Sequence, residues 1–72
     1  MAIRRIKPED WHTVKAVDGA RVQLSPGDEW VDTGAGVKLT INGGAGNPNQ
    51  LKTGTRVLVS RGADGKVAAL RT

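Results

Sequence analysis

The chain has no cysteine, no phenylalanine and no tyrosine, and it carries one histidine. Without cysteine there are no disulfides, no thiolate metal ligands and no cysteine nucleophile. Small secreted domains usually depend on disulfide staples, so a secreted mini-protein is disfavoured. A lone histidine without cysteine also argues against zinc, which takes three or four nitrogen or sulfur ligands. No apolar run approaches the ~20 residues of a membrane-spanning helix. Arg4, Arg5 and Lys7 have no apolar stretch behind them, so the beginning does not read as a signal peptide. No ten-residue stretch has helical periodicity, which removes a helical domain from consideration.

What remains is a chain of 72 residues, enough for one domain. A domain of this size buries only about 60% of its unfolded surface and is marginally stable. Its large apolar residues are eight Val, five Leu, three Ile, two Trp and one Met. The formal net charge of +4 favours an anionic partner, but it also lies within the range of an ordinary soluble surface. Composition leaves both readings open.

Residues 1–10 mix Ile3 and Ile6 with Arg4, Arg5 and Lys7, and read as a basic N-terminal arm. Residues 11–72 read as one β domain. Trp11 to Leu24 has the pattern of a hairpin turning on Asp18-Gly19. In that register Val17 faces Ala20, Lys15 faces Val22 and Thr13 faces Leu24. One face then holds Trp11, Val17, Val22 and Leu24, and the other holds His12, Val14, Ala16, Arg21 and Gln23. Lys15 conflicts with its apolar face, which calls either for a rim position or for a bulge.

Ser25-Pro26-Gly27-Asp28 is a turn, and Trp30 to Thr33 a short strand. Val37, Leu39 and Ile41 alternate inward from Lys38 and Thr40 in the clearest strand of the chain. Residues 42–50 read as a free loop, because nothing in them larger than Ala45 can anchor it. A second hairpin is expected over Thr55–Arg61 and Lys66–Arg71, turning on Gly62-Ala63-Asp64-Gly65. In it Val57 faces Leu70 and Val59 faces Ala68 on the inner face, and Arg56 faces Arg71 on the outer face. These elements add up to an all-β protein: a small antiparallel barrel of five or six strands, OB-like or SH3-like.

Catalytic chemistry finds little support. His12 would need Ser25 or Ser60 and an acid beside it to form a triad, and both serines have turn or strand-end roles. It reads instead as an exposed strand residue. Asp28, Glu29 and Asp32 match no cation-loop spacing and read as a solvated acidic turn, or as a contact for a basic partner. Gly43-Gly44-Ala45-Gly46 lacks the following helix and the Gly-Lys-Ser/Thr of a phosphate loop. A nucleic-acid surface is better supplied. Arg4, Arg5, Arg21, Arg56 and Arg71 offer phosphate contacts, with Trp11 or Trp30 as the stacking residue.

The last twenty-two residues, LKTGTRVLVSRGADGKVAALRT, resemble the closing hairpin of OB-fold barrels. In this segment and in length the chain is similar to bacterial translation initiation factor one. Residues 42–50 lack the basic and aromatic residues that family places around its RNA-facing loop. The short barrel, basic arm, Gly/Asn loop and aromatic-poor composition also resemble small barrels of tailed-phage virions, among them head-completion, decoration and tail proteins. That resemblance implies a non-enzymatic structural module in the virion or in the cytoplasm of the producing cell. It would dock onto copies of itself or onto neighbouring virion proteins. Residues 1–10 and 42–50 lack the means to be ordered by their own barrel, so the docking residues are expected to be Ile3, Arg4, Arg5, Ile6, Lys7, Asn42, Gly43, Gly44, Asn47 and Asn49. The alternative is an OB-like protein that binds nucleic acid. Neither reading calls for a cofactor, a metal, a membrane or a small-molecule substrate.

Overall fold

The computed structural model describes residues 9–72. Seven strands form one sheet: β1 (Glu9–Asp18), β2 (Arg21–Ser25), β3 (Glu29–Asp32), β4 (Lys38–Ile41), β5 (Gly44–Ala45), β6 (Arg56–Arg61) and β7 (Val67–Arg71). Their order across the sheet is β3-β2-β1-β6-β7-β4-β5. The all-β class is thus observed, with one or two strands more than expected. The boundary after residue 10 is corrected, because Glu9 and Asp10 already pair with Ser60 and Val59. Among the described residues no helix is long and apolar enough to cross a membrane.

Three features depart from a simple antiparallel barrel. First, β4 runs parallel to β7, with Leu39 beside Leu70. Thr72 locks this pairing: its N–H donates to the Thr40 carbonyl, and its hydroxyl accepts from the Asn42 N–H. Second, among the described residues the ladder ends at β3 and β5 with no pairing that closes it into a ring. Third, the sheet still curls, since Arg61 on β6 reaches Glu29 on β3 across the two intervening strands.

The first hairpin turns on Gly19-Ala20, one residue later than expected, so that Asp18 pairs with Arg21. Gly19 has φ +60 and Ala20 lacks a positive φ, the pattern of a type II′ turn rather than I′. A bulge then falls at Lys15, between the pairs Val14–Leu24 and Ala16–Gln23. The extra residue shifts the alternation by one, so Val14 and Val17 share the inner face. Val14 is therefore core and Trp11 lies outside, the reverse of the assignment by alternation.

The second hairpin is also displaced. The Gly62 N–H donates to the Lys66 carbonyl, the Gly65 N–H donates to the Gly62 carbonyl, and Gly65 has φ +80. This is the three-residue loop whose last residue is left-handed. With a second bulge at Ala68, Val59 faces Leu70 and Leu58 faces Arg71. Arg56 therefore does not oppose Arg71; it lies beside Thr13 of β1. Ala68, expected inside, is exposed.

The core comprises Val14, Val22, Leu24, Val31, Leu39, Leu51, Val57, Val59 and Leu70, with Val37 and Ile41 packed against it. Each such buried side chain contributes roughly 1.5–3 kcal/mol relative to exposure. The strand pattern of Val37, Leu39 and Ile41 is as expected.

Residues 42–50 are the largest correction. Asn42 and Gly43 have φ +52 and +82, which makes a type I′ turn joining β4 to β5. The Gly46 N–H returns to the Leu39 carbonyl. Pro48–Gln50 is a single 3-10 turn in which the Asn47 N–H donates to the Gln50 side chain. The Leu51 N–H then donates to the Pro48 carbonyl, and its side chain enters the core. The segment is held by its own backbone, so the absence of a large apolar anchor inside it did not leave it free.

Candidate functional site

In a sheet, paired residues point to the same face, so the register shows which side chains stand together. On the outer face Trp11 lies beside Leu58, Leu58 beside Arg71, and Arg71 beside Thr40. Leu58 is buried at 8% exposure yet is not part of the core cluster. It is covered on the outside of the sheet, between Trp11 and Arg71. Next along β1 and β6 come Thr13 and Arg56, with Ser25 of β2 opposite Thr13. The Arg56 guanidinium lies over the Trp11 ring, 5.8 Å from its centroid.

Further along the same face, past the bulge, Ala16 pairs with Gln23 and Gln23 with Trp30. Arg21 covers Trp30 in the same manner, at 5.9 Å. The two indoles are 47% and 46% exposed, so neither is core. A guanidinium stacked on an indole is an attractive arrangement and fixes both groups in place.

The two platforms differ in charge. Arg21 stands between Asp18, at 3.9 Å, and its pair partner Asp32. Among the described residues, neither Arg56 nor Arg71 has a carboxylate within 4 Å. These two cations therefore flank the exposed Trp11 and the Leu58 it covers, without a carboxylate of the described residues beside them.

The other singled-out residues are placed as follows. Ile3, Arg4, Arg5, Ile6 and Lys7 lie outside the described residues. Asn42, Gly43 and Gly44 form the β4–β5 turn, and Asn47 and Asn49 belong to the 3-10 turn, where they line a cleft with Gly19, Ala20, Thr33 and Gly34. The acidic cluster is divided among internal partners. Asp28 meets Lys15 at 2.9 Å, Glu29 meets Arg61 at 2.6 Å, and Asp32 accepts the Gly34 N–H. The hydrogen bond from Arg61 holds the Glu29 carboxyl below the ordinary range, partly opposed by burial.

His12 is a correction: it is half-buried opposite Val57, and its Nδ1 is buried without a hydrogen-bond partner. Among the described residues no three histidine or acidic side chains stand close enough to hold a metal ion.

Sequence reasoning named Trp11, Trp30, Arg21, Arg56 and Arg71, but it could not place them on one face. It missed Leu58, Thr13, Ser25 and Gln23, which fill the face between them. The available signal was Leu58 itself, a large apolar residue out of phase with Val57 and Val59. Comparison with family models, curated proteins and solved structures finds no match.

Proposed function

We propose that this protein is an OB-like binding module that holds single-stranded nucleic acid on the outer face of its sheet, without catalysis. The observation that carries this is Trp11, half exposed beneath Arg56 and joined through Leu58 to Arg71, with no carboxylate on those arginines among the described residues. Proteins that bind single strands combine cationic side chains for the phosphates with aromatic rings on which unpaired bases stack. A duplex hides its base faces, so an indole platform selects unpaired bases. The curled sheet, whose described strands leave one side unclosed, fits the partly open barrel of the OB kind. The reading as a docking module of a virion relied on residues 1–10 and 42–50 both lacking the means to be ordered by the barrel. Residues 42–50 are held by their own hydrogen bonds, which removes one of its two supports; residues 1–8 lie outside the described residues.

The test is a salt titration of binding to labelled single-stranded oligonucleotides. Single-strand binding loses about 0.7 of log–log slope per phosphate contact. Contacts from Arg21, Arg56 and Arg71 give a slope of about −2 on that basis. No binding at low salt by monodisperse protein overturns the proposal. Self-association that depends on Trp11 would identify a protein interface in its place.

A further inference from the structure

We infer that the two Trp–Arg pairs are the ends of a single bivalent track, so that one strand of nucleic acid engages both at once. This rests on the binding reading above and adds to it a footprint and a path. The register places both pairs on the same outer face. Trp30 is reached from Trp11 by moving from Trp11 to Ala16 along β1, then across β2 to β3. At a rise of about 3.3 Å per residue and a strand spacing of about 4.8 Å, the two indoles lie about 19 Å apart along the sheet.

The surface between them has a consistent chemistry. Thr13 and Ser25 face each other across β1 and β2, and Gln23 lies opposite Trp30. All three are half-buried and carry uncharged hydrogen-bonding groups. Gln23 is already oriented, its amide donating to the Asp28 carbonyl at 3.1 Å. A chain of phosphates and sugars crossing this stretch meets hydroxyl and amide groups, with cation and indole at either end. Asp18 and Asp32 flank only the Arg21 end, which makes the Arg21–Trp30 platform the weaker phosphate contact and leaves stacking on Trp30 as its main contribution.

At a stacked spacing of ~3.4 Å per nucleotide, about six nucleotides bridge the two platforms. A trinucleotide occupies one platform at a time. A dodecanucleotide spans both, and its second contact is made at high effective concentration.

The experiment measures affinity for a thymidine trinucleotide and dodecanucleotide by indole fluorescence quenching, in the wild type and in Trp11→Ala, Trp30→Ala and Trp30→Phe. Both tryptophans are surface residues, and a thermal melt of each variant verifies its fold. The dodecanucleotide is expected to bind wild type at least tenfold more tightly than the trinucleotide. Trp30→Ala should remove most of that advantage while changing trinucleotide affinity by no more than about twofold, and Trp30→Phe should restore it. A dodecanucleotide affinity unchanged by Trp30→Ala, but weakened by Trp11→Ala, overturns the two-ended track and leaves the binding reading intact. Failure of wild type to bind the dodecanucleotide at all overturns both.

Discussion

Arg61 and Glu29 come from strands with two others between them in the sheet, yet their side chains meet at 2.6 Å. Arg61 also donates to the Gly65 carbonyl at 3.0 Å, which ties the β6–β7 turn to the same contact. The pair fastens the curled sheet across its inner side. Because Arg61 lowers the Glu29 pKa below its usual 4.5, the unfolded chain binds a proton at this site before the folded one does. The contribution is complete above about pH 4.5 and is lost as pH falls through the lower folded value. Glu29→Gln should flatten this part of the acid limb and cost roughly 0.5–1 kcal/mol at neutral pH, since the pair is partly exposed. Urea midpoints measured at intervals between neutral and strongly acid pH check it. Superimposable profiles for the two proteins would contradict this role.

The three outer-face arginines are not equivalent. Arg56→Ala and Arg71→Ala should each lower oligonucleotide affinity and reduce the salt slope by about 0.7. Arg21→Ala should change the slope less, because Asp18 and Asp32 already offset its charge. Anisotropy titrations at several salt concentrations distinguish them, and equal effects at all three positions would refute the distinction.

Leu51 is the residue through which the 42–50 segment is attached to the body, at 5% exposure within the core cluster. Leu51→Ala should cost about 2–5 kcal/mol, a large part of the stability of so small a domain. A core that does not rely on Leu51 predicts almost no change. The thermal midpoint decides between these outcomes, and limited proteolysis shows whether cleavage within 42–50 increases in the variant.

Gly46 is constrained by space. A Cβ there would stand 2.5 Å from Cγ1 and Cδ1 of Ile41, which packs on the core. Gly46→Ala should displace Ile41 and cost about 1–3 kcal/mol, as overpacking does. Combining it with Ile41→Val should recover part of the loss. An undiminished melting temperature in the single variant would show that Ile41 moves aside freely.

Much of this fold is legible in local sequence. The alternation of Val37, Leu39 and Ile41, the turn residues at Gly19 and Gly65, and the strand lengths all follow from short-range rules. Even the 42–50 segment carried legible signals: Asn42-Gly43 is a favoured I′ pair, and Asn47 with Gln50 three residues later is a capping box. What local rules do not supply is the phase of the alternation after a bulge. Lys15 raised the question by its charge, whereas Ala68, small and neutral, gave no sign. The parallel contact of β4 with β7 joins residues far apart in the chain, and no turn residue encodes it. For the candidate site, residue types pointed to Trp and Arg. Trp11 joins the arginines on the outer face only through the bulge at Lys15, which residue type alone does not reveal.

The surplus residue in β1 has a last implication. Were Lys15 drawn into the ladder instead of bulged out of it, strict alternation from Val17 backwards would put Thr13 and Trp11 toward the interior and turn Val14 to solvent. The indole would then be hidden and a hydrophobic side chain displayed where the ligand track begins. The way one strand accommodates a single surplus amino acid thus determines which groups this small protein presents to its surroundings and which it keeps for itself.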